Sequence, residues 1–576
     1  MLAKVAEIWL ADGMHARPVE LTWRDRSWLV VLFAVWLVPG LFGRDPWKAD
    51  EAYSFGLVWH MVTTGDYLVP TLGGEPFMEK PPLLYPVAAF FVQTMSWLFA
   101  PHEAARLAVI FFHTLTFLLV AWTARKLNGP GKGWVAPVVL IGAPGLLHTG
   151  HLLVTDVALL TTFALALAGW ALSRERPVLG GLVVGAGAGL SFLAKGMIGP
   201  GVLGLTTLAL LAFPAWRTRA YVWRTMPCAL VAVLPAMILW PLGLYLRDPA
   251  LFHEWLFDQN LARFSGAREK SYEHTYFFFF VTLAWYALPA TPLALWTLWK
   301  EGWKGVTRRE VSLPLTLLVV MLGVLTVSGQ KREIYAMPML APLAVLAVRH
   351  IDLVPGWFRH GFRGLAWLGF SLLVAVAWLG WTAQVFGWPE GLAERFARAI
   401  PDYKLGFHAG LVGVALVGTV GWVLRLWWAS DDSARTSAVT WAAGMATVYL
   451  LVMTLWLPAT NFNMTFAHTF TELGEVVRER QVGEIGSEGL GEPQRGMLDY
   501  YAGLWTRRVE VDPEVYDKVN WFLIQGDYRP GRELLMGPPK VGQWELMWEG
   551  RRSGKESFRL YKKMPRAGDQ EVLNEP

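Results

Sequence analysis

The chain has 576 residues, of which 54% are hydrophobic and only 17% are charged, and its mean hydropathy is +0.35. A soluble protein of this size carries about 25% charged residues, so the composition excludes an ordinary soluble protein and indicates many membrane-spanning helices. The net charge of +5 does not indicate nucleic-acid binding, because the basic residues lie in short clusters between apolar runs. The single cysteine, Cys228, excludes a disulfide framework.

The apolar runs predict a polytopic α-helical membrane protein. A membrane-spanning helix needs roughly 20 mostly apolar residues, and we predict about thirteen spans, at residues 27–43, 105–124, 134–149, 153–172, 178–194, 197–214, 225–246, 276–299, 311–327, 334–349, 364–385, 407–428 and 437–457. Residues 459–576 are polar and mixed in charge. They predict a small soluble α/β domain that follows a transmembrane domain of residues 1–458.

The basic residues of the short connections predict the orientation, since lysine and arginine mark the cytoplasmic side. If the N-terminus is cytoplasmic, every inside connection is basic, from Arg24 to Arg435. We therefore expect a multi-pass protein of the cytoplasmic membrane with its C-terminal domain outside. The apolar stretch 83–100 would reverse all later connections if it were a span. We interpret it as an interfacial helix of the first outer loop, residues 44–101.

With this orientation, charged residues gather in the outer connections. Asp156 and Lys195 lie within or at the end of apolar runs, where a charge is costly unless it faces a cavity or a partner. Each such residue also has an ordinary structural interpretation, such as a helix cap or a snorkelling lysine. Their gathering on one face of the membrane indicates a polar chamber.

Six motifs occur in order along the first 350 residues or so. They are DE at 50–51, TTGDYLVPTLGGEPFMEKPPLLYP at 63–86, HLLVTDVALL at 151–160, AKG at 194–196, QNLARF at 259–264 and SGQKREIYAMP at 328–338. This series resembles the GT-C glycosyltransferases of the aminoarabinose transferase and protein mannosyltransferase-like group. The resemblance implies an inverting transfer of a sugar from a polyprenyl-phosphate carrier, at the outer face of the membrane, to a hydroxyl of a lipid A-like lipid, a glycan or a protein.

The resemblance also implies roles for matching residues. Asp50 would be the base, within hydrogen-bond reach of the acceptor hydroxyl. Asp156 would orient it or share its role, and Glu51 is the third candidate catalytic acid. Cations should converge on the leaving lipid phosphate. The candidate ligands of the phosphate and the sugar are Lys80, Lys195, Arg263, Lys331, Tyr335 and Tyr53.

The chain departs from the family pattern at one place. The family often has DExRY, whereas this chain reads Asp50-Glu51-Ala52-Tyr53-Ser54, so Tyr53 replaces a basic residue. Another cation must then take over that phosphate contact, or the substrate differs.

A divalent metal is a further possibility implied by the resemblance. Glu79 and His274 match positions that resemble metal ligands in some relatives, and carboxylate and imidazole ligands suit zinc. Zinc or magnesium would therefore be the metal, although the sequence gives no full ligand set. No Walker A motif or GxGxxG fingerprint occurs, and we expect no nucleotide cofactor.

Two other functions are compatible with charges facing a membrane cavity. A lipid-linked sugar flippase or transporter usually has a midplane site and an internal repeat, and no repeat is visible in the sequence. A non-catalytic scaffold presenting the C-terminal domain would tolerate the loss of each outer acid or base. The enzyme is the interpretation that the motifs favour.

Overall fold

The computed structural model describes residues 22–261, 276–400, 403, 406–428, 433–529, 532–533, 543–552 and 556–564. It consists of a bundle of apolar helices followed by a small mixed sheet with its own helices. The predicted fold class, a polytopic helical membrane protein with a C-terminal α/β region, is confirmed.

The long apolar helices form the bundle. Among the described residues, eight helices are long and apolar enough to cross a membrane: Pro101–Asn128, Thr155–Leu172, Pro177–Lys195, Tyr221–Arg247, Arg309–Val327, Gly356–Phe386, Ala409–Trp428 and Ala434–Met464. A ninth span results if the pair Phe278–Tyr286 and Ala290–Val306, bent by 103°, is counted as one.

The four other predicted spans correspond to shorter helical segments. These are Trp23–Leu37; Val135–Ile141 with Pro144–Thr149; Ile198–Ala209 with Leu210–Ala212; and Glu333–Met339 with Leu340–Ala347. Proline explains one of the breaks. Pro144 occupies the first turn of a new helix, where a missing N–H is harmless, and it cannot continue the preceding helix.

The first outer loop contains two helices and a hairpin. The first outer helix, Asp50–Thr64, is followed by the antiparallel strands Thr71–Leu72 and Glu75–Pro76 and by the helix Leu84–Met95. That last helix has 12 residues and is about 18 Å long, which is too short for a bilayer core of about 30 Å. Its length supports the interfacial interpretation over a span.

The remaining helical segments are short and connect or cap the bundle. They are Pro214–Trp216, Tyr221–Thr225, Pro249–His253, Glu254–Leu261, Ile351–Leu353, Glu390–Ala399, Val452–Trp456 and Leu457–Met464. Within the span Tyr221–Arg247, the α-helical part is Met226–Arg247, and within the span Ala434–Met464 the first α-helical part is Ala434–Leu451.

The C-terminal region is built on a mixed sheet. In spatial order its strands are Arg507–Arg508, Ile485–Glu488, Trp521–Arg529, Glu556–Lys563 and Trp544–Arg552, and Arg532–Glu533 pairs with the third. The first three are parallel and the last two antiparallel. Its helices are Ala467–Glu479, Glu492–Ala502 and Val515–Lys518. The domain boundary at residue 459 stays a prediction.

The C-terminal helix Glu492–Ala502 packs directly on the first outer helix. The contact depends on two glycines, because a Cβ built on Gly56 would lie 2.7 Å from the Cα of Gly496 and 2.7 Å from Leu72 Cδ1. Ion pairs surround this close approach. Arg495 and Arg508 donate to Glu75 of the hairpin at 2.7 and 2.9 Å. The C-terminal region is therefore fixed against the outer loop that contains Asp50.

The substitution Gly56→Ala should lower the free energy of unfolding by about 1–3 kcal/mol, because the added methyl group overpacks a backbone-to-backbone contact. Thermal unfolding in detergent would measure the change. Gly201→Ala is the matched control, since this glycine also lies in a helix but has no atom within 4 Å of an added Cβ. Equal midpoints for Gly56→Ala and the wild type would contradict the close contact.

Candidate active site

Asp50 begins the first outer helix with its carboxylate at the edge of a polar cluster. Its side chain is 25% exposed, and its Oδ2 accepts a hydrogen bond of 2.8 Å from Nη2 of Arg332. Arg332 lies in the outer connection before the turn of helix Glu333–Met339. An acid at a helix N-terminus is favoured by the helix dipole.

Glu51, the next residue, points in another direction and is buried. Its carboxylate pairs with Arg44 and accepts a hydrogen bond of 2.9 Å from Nε of Arg106. Burial alone would raise the pKa of Glu51, but Arg106 and Arg44 outweigh it and lower the pKa to about 2. The Arg44–Glu51–Arg106 cluster thus holds a permanent negative charge between two guanidinium groups.

This cluster connects the first outer loop to the second outer turn. Arg106 donates to the backbone carbonyls of Leu41, Arg44 and Asp45 at 2.7–3.1 Å. Arg44 donates to the carbonyl of His151 at 3.2 Å, and His151 lies four residues before the helix Thr155–Leu172 begins. Glu51 therefore fixes the position of its neighbour Asp50 relative to the helix that carries Asp156.

Lys80 and Tyr53 form the second part of the site. The Lys80 ammonium donates to the Tyr53 hydroxyl, lies 4.8 Å from the centre of that ring and is 3.6 Å from Glu79. Burial alone would lower the pKa of Lys80, but the negative charges of Glu79, Asp156 and Asp50 outweigh this effect. The pKa of Lys80 is therefore raised. Lys80 therefore keeps its positive charge in a nearly closed environment.

Asp156 and Lys195 form the third part, between two apolar helices. Asp156 lies in the first turn of Thr155–Leu172, and Lys195 is the last residue of Pro177–Lys195. The two side chains form a buried ion pair, and the Lys195 ammonium lies 4.3 Å from the centre of the Tyr335 ring. The lysine is placed at a helix C-terminus, where the helix dipole favours a cation.

Electrostatic contacts connect these three parts into one site. The charges of both Asp50 and Asp156 act on Lys80. Burial lowers the pKa of Arg332, but Asp50, Tyr335 and Tyr53 raise it above its ordinary value. The arrangement presents an acid to an acceptor group and several cations and phenols to an anion, which is the requirement for displacing an anionic leaving group.

The other predicted site residues lie away from these three parts or outside the residues that the structure describes. The Lys331 ammonium lies 5.5 Å from the centre of the Tyr276 ring. Arg263 and His274 lie outside the described residues. Within those residues no three His, Cys, Asp or Glu side chains form a group that could hold a metal. We therefore propose no step through zinc or magnesium.

Sequence reasoning missed three arginines. Arg332 stands beside the predicted Lys331, and only the structure shows that it contacts Asp50. Arg44 and Arg106 were missed because they are 7 and 55 residues from Glu51 and belong to none of the motifs. The available signal was the charge of Arg106, which is unusual within an apolar run.

The large groove in the described bundle is separate from this site. It has a volume of about 2410 Å³ and runs between the helices Trp23–Leu37, Ala409–Trp428 and Ala434–Leu451. Its lining is mostly apolar and contains none of the candidate site residues.

The helical bundle, the first outer loop and the C-terminal sheet together have the GT-C fold that the motifs predicted. The structure is similar to that of ArnT from Cupriavidus metallidurans. In the apo state, that structure matches 93% of this chain and 98% of its own with a TM-score of 0.68 at 16% identity. The structure bound to undecaprenyl phosphate gives a TM-score of 0.66 at 17% identity.

Sequence comparison gives similar relatives. The undecaprenyl phosphate-alpha-4-amino-4-deoxy-L-arabinose arabinosyl transferase of Edwardsiella ictaluri is 26% identical over 380 residues, which are 61% of this chain and 65% of that protein. The enzyme of the same name from Aeromonas salmonicida is 28% identical over 422 residues, 69% and 71% of the two chains. The match thus spans about two thirds of these relatives. No protein-family profile matches the chain.

Proposed function

We propose that the protein is an inverting glycosyltransferase that moves a sugar from a polyprenyl-phosphate carrier to a hydroxyl acceptor at the outer face of the cytoplasmic membrane. The observation that carries the proposal is the position of Asp50, a partly exposed carboxylate beside several cations. The similarity to enzymes named for undecaprenyl phosphate-linked aminoarabinose supports this donor class.

In the proposed reaction, the acceptor oxygen attacks the anomeric carbon from the side opposite the phosphate. Asp50 takes the proton of that hydroxyl as the new C–O bond forms. The bond from the anomeric carbon to the phosphate oxygen breaks, and its electron pair stays on the lipid phosphate. Lys80 and Lys195 stabilise the charge that develops there, with Tyr335 and Tyr53 as further contacts to the phosphate or the sugar.

The three acids have different proposed roles because their environments differ. Asp50 is the only one of them with a substantially exposed carboxylate, at 25% against 2% for Glu51 and 6% for Asp156. A base must reach the acceptor proton, so Asp50 is assigned this step. Asp156 positions Lys195, and Glu51 positions the outer helix. Glu51 is therefore a positioning residue and not a catalytic one.

Tyr53 stands where the family often has a basic residue, so the sugar is not assigned as aminoarabinose. The acceptor is a lipid, a glycan or a protein hydroxyl.

The charged pair of the site lies at helix ends, since Asp156 is in the first turn of one helix and Lys195 is the last residue of another. A site at one face of the membrane favours an enzyme over a transporter, whose site usually lies at the midplane.

The direct test uses purified protein in lipid with radiolabelled polyprenyl-phosphate pentoses and hexoses, and membrane extracts that supply acceptors. Transfer of label from one donor would establish the enzyme and identify the sugar class. Movement of the carrier between liposome leaflets without transfer would instead establish a flippase. Activity at the outer face is checked with vesicles in which the predicted outer face of the protein is turned outward, by supplying the donor only to the outside of the vesicles.

The substitution Lys80→Met should weaken binding of undecaprenyl phosphate by about tenfold or more, because a charge-assisted hydrogen bond contributes roughly 1.5–3 kcal/mol. Binding of the labelled carrier to detergent-solubilised protein measures it. Lys126→Met is the matched control, because this lysine pairs with Glu175 at a predicted cytoplasmic connection. Unchanged binding in Lys80→Met would remove Lys80 from the phosphate site.

A further inference from the structure

Arg332 holds one carboxylate oxygen of the candidate base Asp50. Oδ2 of Asp50 accepts a hydrogen bond of 2.8 Å from Arg332. This hydrogen bond occupies one of the two carboxylate oxygens of Asp50. Opening the Asp50–Arg332 pair, or rotating the carboxylate, would present that oxygen to an acceptor hydroxyl as well.

Of the three cations Arg332, Lys80 and Lys195, Arg332 can move most easily. Its side chain is 54% exposed, against 14% for Lys80 and 19% for Lys195. The two lysines are held by buried partners, whereas the described hydrogen bond of the Arg332 side chain uses only Nη2. Arg332 also lies in a turn between two helices, which leaves its long side chain room to reorient.

A lipid phosphate would compete well for this guanidinium group. Arginine presents a planar fork of donors that fits two phosphate oxygens at once, whereas the pair with Asp50 uses one oxygen and one nitrogen. The phosphate is expected close by, because Tyr53 and Tyr335 of the proposed donor site both act electrostatically on Arg332.

We propose that Arg332 exchanges partners: it holds Asp50 in the absence of donor and binds the donor phosphate when the carrier enters, which frees both carboxylate oxygens of Asp50 for the acceptor proton. This inference rests on the proposed transferase function. Arg332 would then supply the phosphate with a cation in place of the basic residue that Tyr53 replaces. The exchange also links donor binding to the release of the base.

A double-mutant cycle with undecaprenyl phosphate as the probe tests the exchange. Arg332→Gln should weaken carrier binding by at least about tenfold. Asp50→Asn should tighten binding by about two- to fivefold, because the half-exposed ion pair no longer has to be broken. In the Arg332→Gln background, Asp50→Asn should change binding by less than about twofold, since there is no pair to break.

The controls separate the exchange from simpler effects. Arg247→Gln removes an exposed arginine that pairs with Asp66 of the same outer loop at 3.4 Å, and it should leave binding unchanged. Equal tightening by Asp50→Asn in both backgrounds would indicate plain charge repulsion and overturn the exchange, as would wild-type affinity in Arg332→Gln. Wild-type protein that binds undecaprenyl phosphate no better than uncharged undecaprenol would overturn the proposed function itself.

Discussion

Asp50→Asn should lower the rate of sugar transfer by about 10²- to 10⁴-fold, the usual contribution of a general base. The asparagine side chain has nearly the same shape, but its amide cannot take up the proton of the acceptor hydroxyl. Because Asp50 is partly exposed and its partner Arg332 is more so, the substitution should leave the fold intact. Single-turnover transfer from saturating labelled donor measures the chemical step without a contribution from carrier binding.

The control for Asp50→Asn is another acid of the same loop. Asp66→Asn removes a carboxylate that is paired with Arg247 and lies outside the site, and we expect it to keep the wild-type rate. Wild-type single-turnover transfer in Asp50→Asn would show that another group is the base. Asp156 would then be the next residue to test, since it also acts on Lys80 and pairs with Lys195.

Glu51→Gln should be the most destabilising of the site substitutions, by about 3–5 kcal/mol, because it leaves two buried arginines without a counter-charge. The side chains of Arg44 and Arg106 are each about 1% exposed. Chemical or thermal unfolding in detergent at pH 7 measures the loss. Glu175→Gln is the control, since that acid pairs with Lys126 at the surface and should change stability by less than about 1 kcal/mol.

The same substitution has a defined pH dependence. The pKa of Glu51 is lowered from 4.5 to about 2 in the folded protein. The ionised carboxylate therefore contributes stability that is fully present above pH 4.5 and is lost as the pH falls toward 2. The stability difference between the wild type and Glu51→Gln should be constant from pH 7 to about pH 5 and should narrow below it. A constant difference down to pH 3 would contradict the lowered pKa.

The sequence predicted most of the bundle because apolar composition is a local property. Every predicted span has a helical counterpart among the described residues, at least in part. The lengths of four of them were overestimated, because composition records hydrophobicity and not the breaks in the backbone. The run 134–149 is an example, since Pro144 divides it into two short helices.

The sequence motifs named residues of the candidate site, but they did not predict the contacts between those residues. The motifs identified Asp50, Lys80, Asp156 and Lys195, and the structure places them in one electrostatic cluster. The sequence could not show that Arg332, 282 residues from Asp50, would contact it. Nor could the sequence show which of the adjacent acids Asp50 and Glu51 is buried, because that depends on the rotation of the helix about its own axis.

The packing of the C-terminal region on the first outer loop has a consequence for biogenesis. Asp45 lies five residues before Asp50, and its carboxylate accepts hydrogen bonds from Asn461 and Tyr501. Those partners are 416 and 456 residues away, so the ribosome completes nearly all of the bundle before they exist. The loop that carries Asp50 cannot reach its final structure during insertion of the early helices. Assembly of the loop that carries Asp50 is therefore a late event, completed only after the last helices of the bundle and the C-terminal region have been synthesised.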